Sequence, residues 1–273
     1  MTLEVVDEGD EFRRRETMTN PGESGTAQKR HWEKTYSDNT SFFGEGPSAF
    51  SKVALDRFRN EGVRTVLELG CGQGRDTLLF AREGFEVTAL DYSEEGLKGL
   101  ATRAEEVGVS AHVETRSFDV RQMLPFPDGS FDACYSHMLL CMELSSDELT
   151  ALVDEIHRIL RLGGLALYSV RNTFDPNYRT GIHKSEAMYE IGGFVVHFFS
   201  DEKVRSLSDG YEILDIRRMR EGSLPRELFA VTLRKTANLR SGDTPRGAAE
   251  ETRKGERATV GSENLTPKNP GKT

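Results

Sequence analysis

The sequence has few cysteines, no long apolar run and no excess of basic residues, and each shortage excludes a class of protein. Its 273 residues include three cysteines, Cys71, Cys134 and Cys141, at spacings that match neither a disulfide framework nor a zinc knuckle. No apolar stretch approaches the length of a helix that crosses a bilayer. We therefore expect a cytoplasmic protein with no membrane partner and no metal site.

Basic residues are also fewer than acidic ones. The formal net charge is -9 at pH 7, with 36 Lys and Arg against 45 Asp and Glu. Proteins that cover a nucleic acid need a broad basic face, so we expect no nucleic-acid partner and a small-molecule one instead. The basic run at residues 217–220 could recognise an anionic substrate, although a solvent-facing strand end is the commoner arrangement.

Apolar residues are scarce at both ends of the chain. Hydrophobic residues make up only 36% of the sequence and charged residues 30%, which indicates that part of the chain stays outside the core. Residues 1–28 and 236–273 are polar and lack the periodicity of helices or strands. We predict a disordered leader at 1–28, one domain at 29–235 and a disordered tail at 236–273.

What the chain does contain is a glycine-rich break between a strand pattern and a helix pattern. An apolar run ends at Leu69, glycines occupy alternate positions from Gly70 to Gly74, and helical spacing then resumes. Glycine adopts backbone conformations that a Cβ disfavours, and bare backbone at a helix N-terminus lets a ligand approach closely. This stretch predicts a strand, a tight turn and a helix, with a ligand at the turn.

Further strand and helix patterns follow in alternation. A capping box of Ser145 and Glu148 starts the clearest helix, whereas residues 172–199 break the alternation and suit an insertion that covers a pocket. Alternating units place helices on both faces of one sheet, so we predict an α/β, Rossmann-like, doubly wound, mostly parallel sheet of seven strands with the last strand antiparallel. The strands are predicted at residues 66–69, 85–90, 111–118, 131–136, 165–170, 211–216 and 228–233.

Acidic residues lie at the ends of the first three predicted strands. Glu68 precedes the glycine turn, Asp91 closes the second strand and Asp119 closes the third. In a doubly wound sheet the carboxyl ends of neighbouring strands border one crevice, and ligands bind there. One carboxylate can accept hydrogen bonds from two vicinal hydroxyls, so Asp91 suits a ribose, and Asp119 can accept from the exocyclic amine of adenine.

These residues carry a resemblance to a known family. The segment Glu68-Leu69-Gly70-Cys71-Gly72-Gln73-Gly74 resembles motif I of the class I S-adenosylmethionine (SAM) methyltransferases. Leu90-Asp91 and Phe118-Asp119-Val120 stand where that family keeps its ribose and adenine contacts. A dinucleotide-binding oxidoreductase more often has the order G-x-G-x-x-G. The resemblance implies SAM as the cofactor.

A weaker likeness concerns the later part of the chain. Phe198-Phe199-Ser200, Asp209-Gly210-Tyr211-Glu212 and the strand from Leu228 to Arg234 resemble the TehB-like small-molecule methyltransferases. The implied activity is transfer of a methyl group from SAM to a small-molecule acceptor by in-line displacement. Two alternatives stay open: a SAM-binding regulator that has lost catalysis, and an RNA or protein methyltransferase. Thiolate binding of a metalloid acceptor is less favoured than burial of the cysteines.

The resemblance also implies which residues contact SAM. The three glycines would line its methionine part, Asp91 its ribose, and Asp119 with the Val120 amide its adenine, beside which Tyr92 would stack. The cofactor-binding set is therefore Glu68, Gly70, Cys71, Gly72, Gln73, Gly74, Asp91, Tyr92, Asp119, Val120, Ser136, Trp32 and Ser48.

Catalytic residues are expected at the end of the fourth strand and on an N-terminal helix. The resemblance places Ser136 and His137 near the reacting methyl group, and His137 is the candidate general base because its unperturbed pKa is near neutrality. An N-terminal helix would cover SAM as a lid. Trp32, Tyr36 and Ser48 are the candidates for that lid, and Tyr36 joins His137 as a predicted catalytic residue.

Overall fold

Seven strands form the central sheet of the chain, which a computed structural model describes at residues 21–221 and 226–237. The strand positions agree with the predicted ones, although the fifth strand and the last two are longer than predicted. In chain order the strands are β1 (Thr65–Leu69), β2 (Glu86–Asp91), β3 (Val113–Ser117), β4 (Phe131–His137), β5 (Leu160–Arg171), β6 (Ile182–His183), β7 (Met188–Ile191), β8 (Phe194–His197), β9 (Tyr211–Glu221) and β10 (Arg226–Lys235).

The order of strands in the main sheet is β3-β2-β1-β4-β5-β10-β9. The pairs β1–β2, β2–β3, β1–β4 and β4–β5 are parallel, whereas β10 is antiparallel to both β5 and β9. This topology confirms the predicted seven-stranded, mostly parallel Rossmann-like sheet with its last strand antiparallel. Because β10 alone is reversed, its first residue lies at the same edge as the carboxyl ends of the other six strands.

Helices cover both faces of this sheet. On one face Val66 belongs to an apolar cluster with Phe58, and on the other Leu67 belongs to a cluster with Leu149. Neighbouring residues of one buried strand thus face opposite layers, as the period of two requires. The helices are α1 (Pro21–Asp38), α2 (Ala49–Asn60), α3 (Arg75–Arg82), α4 (Glu94–Glu106), α5 (Ser146–Ile159) and α6 (Asp201–Ser206).

The predicted capping box is confirmed in atomic detail, and a second helix also begins at a side-chain cap. The Ser145 side chain and the Glu148 side chain each bind the other residue's backbone amide, which completes the capping box of α5. The Ser93 hydroxyl accepts a hydrogen bond from the Gly96 amide at the start of α4. Side-chain caps satisfy amides that lack a partner within the helix, so these local signals were enough to position both helices.

Two boundaries differ from the prediction. Helix α1 begins at Pro21, inside the predicted leader, while residues 1–20 and the tail from residue 238 lie outside the described residues. Helix α5 ends at Ile159, before the predicted stop at Gly163 and Gly164, because both glycines lie within β5. A Cβ on Gly164 would lie 2.8 Å from the Arg161 carbonyl oxygen, so the strand requires glycine there.

The predicted insertion at residues 172–199 contains a small second sheet. Strands β6, β7 and β8 pair antiparallel within it, and an isolated bridge joins Asn172 to Phe199 at its two ends. The bridge therefore brings the end of the insertion back to the end of β5, where the insertion begins. Within the described residues, no helix combines the length and apolar character needed to cross a membrane.

Candidate active site

The glycine turn after β1 is packed so tightly that side chains are excluded. Gly70, Gly72 and Gly74 have φ values of 72°, 52° and 80°, a region that favours glycine. A Cβ on Gly70 would lie 2.8 Å from Leu139 Cβ, and a Cβ on Gly72 would lie 2.7 Å from the Tyr36 hydroxyl. The turn therefore presents bare backbone at the carboxyl edge of the sheet.

Asp91, at the end of β2, is joined to this turn. Its carboxylate accepts hydrogen bonds from the Gly72 amide at 2.8 Å and from the Ser93 amide at 2.8 Å. Burial raises the pKa of Asp91 to about 6, although both amides act in the opposite direction. A carboxylate has about four acceptor positions, so Asp91 retains capacity for hydroxyl donors.

Glu68 is a second buried acid beside the turn. Its carboxyl group accepts a hydrogen bond of 2.6 Å from the Thr77 hydroxyl. Burial, reinforced by the nearby Asp76, raises the pKa of Glu68 to about 8. At neutral pH this carboxyl group is protonated, so it adds no negative charge beside Asp91.

Three adjoining cavities run along the carboxyl edge of the sheet. The first, of about 480 Å³, is lined by the glycine turn, Glu68, Tyr36 and His137. The second, of about 440 Å³, shares Tyr36 and His137 with the first and adds Asp91 and Tyr92. The third, of about 340 Å³, shares Tyr92 with the second. Together they form a row long enough for a ligand with several parts.

The third cavity contains the residues predicted to hold adenine. Tyr92, Asp119 and Val120 line it together. The Arg121 side chain donates to both Asp119 oxygens, at 2.9 Å and 2.6 Å. Although burial raises the pKa of Asp119, the bonds from Arg121 dominate and hold it below its usual value. Asp119 is thus ionised and already paired, so an amine bound here would share it with Arg121.

Three residues predicted to contact SAM form hydrogen bonds within the protein, and their contact with SAM stays a prediction. Ser48 caps α2 and donates its hydroxyl to Asp76 Oδ2 at 2.8 Å. The buried Ser136 donates its hydroxyl to the Leu69 carbonyl oxygen at 3.2 Å. Gln73 donates to the Asn39 carbonyl oxygen at 2.7 Å and also lines the first cavity. Sequence reasoning missed these roles because each hydrogen bond joins distant parts of the chain.

The cysteine thiols are not activated. Cys71, Cys134 and Cys141 are all free and buried. Burial raises the pKa of Cys141 to about 11 and moves those of Cys71 and Cys134 upward as well. A thiol needs a lowered pKa to act as a nucleophile or a ligand at neutral pH. The three residues therefore act as small apolar groups, and Cys71 contributes to the wall of the first cavity.

Helix α1 lies over the second cavity, where the lid was predicted. Trp32 and Tyr36 line this cavity, and their ring centroids are 5.3 Å apart. Trp32 also contacts Phe194 of β8, with centroids 4.7 Å apart. The Glu33 carboxylate accepts hydrogen bonds from the amides of Glu94 and Glu95 at the start of α4. The helix is thus attached both to the insertion and to the main domain.

His137 lines the first and second cavities, but its ring nitrogens have protein neighbours. The Ser169 hydroxyl lies 2.7 Å from Nδ1, and Glu221 Oε2 lies 3.2 Å from Nε2. The Ser169 hydroxyl accepts a hydrogen bond from the Met138 amide, so it can donate to Nδ1, and that arrangement puts the ring proton on Nε2. The Nε2 atom is buried and forms no hydrogen bond among the described residues, so Glu221 is a charged neighbour of Nε2 and not its hydrogen-bond partner.

Glu221, Arg75 and Phe43 are site residues that sequence reasoning missed. Arg75 donates a hydrogen bond of 2.9 Å to Glu221 and places its guanidinium 5.4 Å from the centre of the Phe43 ring. Burial raises the pKa of Glu221, but the neighbouring His137 and Arg75 outweigh it and hold this pKa below its usual value. Glu221 was missed because it lies beyond the predicted end of its strand. For this group of residues, the adjacent aromatic residues at 42–43 were the only feature of the sequence that could have indicated a ligand site.

The chain matches known proteins over its central part. Residues 66–164 match the family described as "Methyltransferase domain". An uncharacterised methyltransferase of Synechocystis is 29% identical over 120 residues, which are 44% of this chain and 53% of that protein. The chain spans about half the length of the curated relatives that it matches.

Solved structures share the fold more extensively. The 1,6-didemethyltoxoflavin-N1-methyltransferase of Burkholderia thailandensis, solved with 1,6-didemethyltoxoflavin and S-adenosylhomocysteine, has a TM-score of 0.62 and 22% identity, covering 80% of this chain and 92% of its own. TehB of Haemophilus influenzae has a TM-score of 0.53 and 17% identity, covering 68% and 62%. These similarities confirm the resemblance to class I methyltransferases, at the level of the fold for the solved structures.

Proposed function

We propose that this chain, whose residues 66–164 belong to a methyltransferase domain family, transfers a methyl group from SAM to a small molecule. One observation carries the proposal. The buried carboxylate of Asp91 is held against the Gly72 amide at 2.8 Å and lines the second cavity, which shares wall residues with the first and the third. An acid held between a glycine turn and an open cavity suits a nucleoside whose remaining parts extend both ways.

The residues present fit SAM along this row. The bare backbone from Gly70 to Gly74 would lie against its methionine part, and Asp91 would accept from the ribose hydroxyls. Tyr92, Asp119 and Val120, which line the third cavity, would surround the adenine. Because Asp119 already binds Arg121, we propose that the Val120 backbone and the Tyr92 ring contribute more to adenine binding than the Asp119 carboxylate.

Bound SAM supplies an electrophilic methyl group on a sulfonium. The protein contributes alignment of the acceptor and exclusion of water, which account for much of the rate in such displacements. Tyr36 lines the first two cavities and is buried, and burial raises the pKa of its hydroxyl well above the ordinary value. We propose that Tyr36 acts as a neutral wall beside the reacting group and does not take up a proton.

His137 is proposed to position the acceptor. Its ring forms part of the wall of both cavities, while Ser169 lies within hydrogen-bond distance of Nδ1 and Nε2 is buried beside Glu221. A general base must reach the proton that it removes, and the buried Nε2 does not in this conformation. The proposal therefore favours an acceptor atom that carries no proton to be removed, or one that is already ionised when it binds.

The small-molecule acceptor is supported by the enclosed shape of the site and by charge. The first two cavities lie beneath α1 and the loop that carries Phe43, and the net charge of -9 disfavours binding along a nucleic acid. The Burkholderia neighbour carries a small heterocycle with S-adenosylhomocysteine, by its description. We also propose a cytoplasmic location, because three free buried thiols suit a reducing compartment.

A methyl-transfer assay separates the acceptor classes. The protein is incubated with methyl-labelled SAM and, separately, with the low-molecular-weight filtrate, the RNA and the protein of a cell extract. Label should appear in the filtrate, and at limiting SAM concentration Asp91→Ala should transfer less of it than the wild type. Label in the RNA or the protein fraction alone would contradict a small-molecule acceptor.

A further inference from the structure

Arg226 begins β10 at the carboxyl edge of the sheet and lacks an ionic partner. Its side chain is only partly exposed, and its guanidinium lies 6.0 Å from the centre of the Phe43 ring. Within residues 21–221 and 226–237, no ion pair involves Arg226, whereas its neighbours Arg75 and Arg171 are both paired. A partly buried guanidinium is usually paired, so this one requires an explanation.

The carboxylates near Arg226 are already engaged. Arg171 donates to both oxygens of the buried Asp175, at 2.9 Å and 2.6 Å. Glu221, which lies opposite Arg226 across the β9–β10 pair, binds Arg75 and faces His137. Three arginines thus share two carboxylates, and one positive charge remains uncompensated.

The electrostatic surroundings of Arg226 agree with this count. Burial lowers the pKa of its guanidinium, and the nearby Arg171 and Arg75 lower it further, whereas Glu221 raises it. Removing a cation from water next to other cations is unfavourable unless an anion is supplied. The protein itself does not supply one here, among the described residues.

Phe43 connects Arg226 to the proposed acceptor space. Its ring lines both the first and the second cavity together with His137, and the guanidinium groups of Arg75 and Arg226 both lie near that ring. The positive charge is therefore beside the reacting region, at the side away from Asp119 and the adenine end. A ligand group in that place is not part of the nucleoside, and the S-adenosylhomocysteine titration below separates the acceptor from the methionine carboxylate.

We propose that Arg226 binds an oxyanion of the acceptor, a carboxylate or a phosphate, while the rest of the acceptor contacts Phe43 and His137. The planar guanidinium fork matches either group in a bidentate manner. This inference rests on the proposed function and specifies its substrate class. It assigns anion recognition to Arg226 and not to the basic run at 217–220, in which Arg218 lies over Phe174 and Arg220 is paired with Glu227.

The sole tryptophan, Trp32, provides the signal for a test, since it lines the second cavity. The protein is first saturated with S-adenosylhomocysteine, with binding confirmed by calorimetry. Benzoate, phenyl phosphate and the neutral benzamide are then titrated while the fluorescence of Trp32 is recorded. The same titrations are made with Arg226→Gln, with Arg226→Lys, and with Arg217→Gln as a control on β9 whose side chain is exposed.

An anion should bind about ten- to a hundredfold more tightly than benzamide, as expected for a charge-assisted hydrogen bond. Arg226→Gln should remove this preference, Arg226→Lys should retain part of it, and Arg217→Gln should leave it unchanged. The stronger of benzoate and phenyl phosphate identifies the oxyanion. Affinity for S-adenosylhomocysteine should be the same in all four proteins.

Several results would overturn the inference. Equal affinity for benzoate, phenyl phosphate and benzamide, or no saturable binding of any of them, contradicts an anion site. A loss of S-adenosylhomocysteine affinity in Arg226→Gln assigns the arginine to the cofactor carboxylate instead. Failure of the wild type in the first calorimetric step would refute the proposed function, and this inference with it, whereas failure at the second step alone refutes only the anion site.

Discussion

The Gly72 amide donates a hydrogen bond of 2.8 Å to the Asp91 carboxylate. This bond joins the turn after β1 to the end of β2, two points that are 19 residues apart in the chain. It holds the turn in a conformation with positive φ and at the same time points a buried acid toward the cavities. The glycine turn and the acid therefore form one structural unit, which the proposed cofactor contacts on both sides.

Replacement of Gly74 by alanine should destabilise the fold. The new Cβ would lie 2.8 Å from Leu100 Cγ, in a fully buried part of the core. Overpacking costs about 1–3 kcal/mol, and the positive φ adds about 1–2 kcal/mol. Urea unfolding measures the total.

Gly84→Ala is the matched control for this substitution. Gly84 has a φ of 84°, but no atom lies within 4 Å of its ideal Cβ. The free energy of unfolding of Gly84→Ala should therefore fall only by the backbone contribution of about 1–2 kcal/mol. Equal losses in the two variants would show that Leu100 does not restrict the turn.

Glu68 should make stability depend on pH. Its pKa is about 8 in the folded protein and near 4.3 in an unfolded chain, so between these values the folded state binds the additional proton. The free energy of unfolding contributed by this group is thus largest in acid and decreases as the pH rises toward 8. Glu68→Gln should remove a decrease on the order of a few kcal/mol between about pH 5 and about pH 8.

The comparison of wild type with Glu68→Gln isolates this effect. Asp91, with a pKa raised to about 6, changes stability in the same direction, and His197, whose pKa burial lowers, changes it in the opposite direction. Both groups remain in the variant, so the effect of His197 cancels in the difference, whereas that of Asp91 cancels only in part because Asp91 and Glu68 interact electrostatically. A difference in unfolding free energy that is constant over this pH range would mean that Glu68 is ionised in the folded protein. Glu105→Gln, at an exposed position, is the control substitution.

Phe194→Ala should loosen helix α1. The Phe194 ring packs against Trp32 at 4.7 Å and against His31 at 4.3 Å between centroids. Aromatic pairs contribute about 0.5–1.5 kcal/mol, so affinity for S-adenosylhomocysteine should fall about two- to tenfold and acrylamide quenching of Trp32 should increase. Phe174→Ala, at a ring that is 59% exposed, should change neither; unchanged quenching in Phe194→Ala would contradict the contact.

Local signals in the sequence were sufficient for the core of the fold. The apolar run before Gly70, the capping box of Ser145 and Glu148, and the acid after each of the first strands are each encoded within a few residues. The mostly parallel sheet with helices on both faces followed from these units because parallel strands joined by helices have few alternative arrangements. Asp91 was located correctly for the same reason.

The parts that could not be predicted depend on contacts between distant residues. Nothing near His137 in the sequence indicates that Glu221 will lie 3.2 Å from its Nε2, and this contact changes the expected role of the histidine. Likewise, the Ser48 hydroxyl could bind a cofactor by its chemistry, but in the fold it donates a hydrogen bond to Asp76. Helix α1 was predicted too short because its first residues lack an apolar pattern and its buried side chain Gln28 contacts β8, where its oxygen accepts from the Val195 amide.

Calorimetric titration of S-adenosylhomocysteine into the wild type and Asp91→Ala tests the central claim most directly. The wild type should bind one equivalent, and Asp91→Ala should bind about ten- to a hundredfold more weakly, because charge-assisted hydrogen bonds to the ribose are lost. Asp56→Ala, at an exposed position on α2, should bind like the wild type. Absence of binding by the wild type, or equal affinity in Asp91→Ala, would contradict the account.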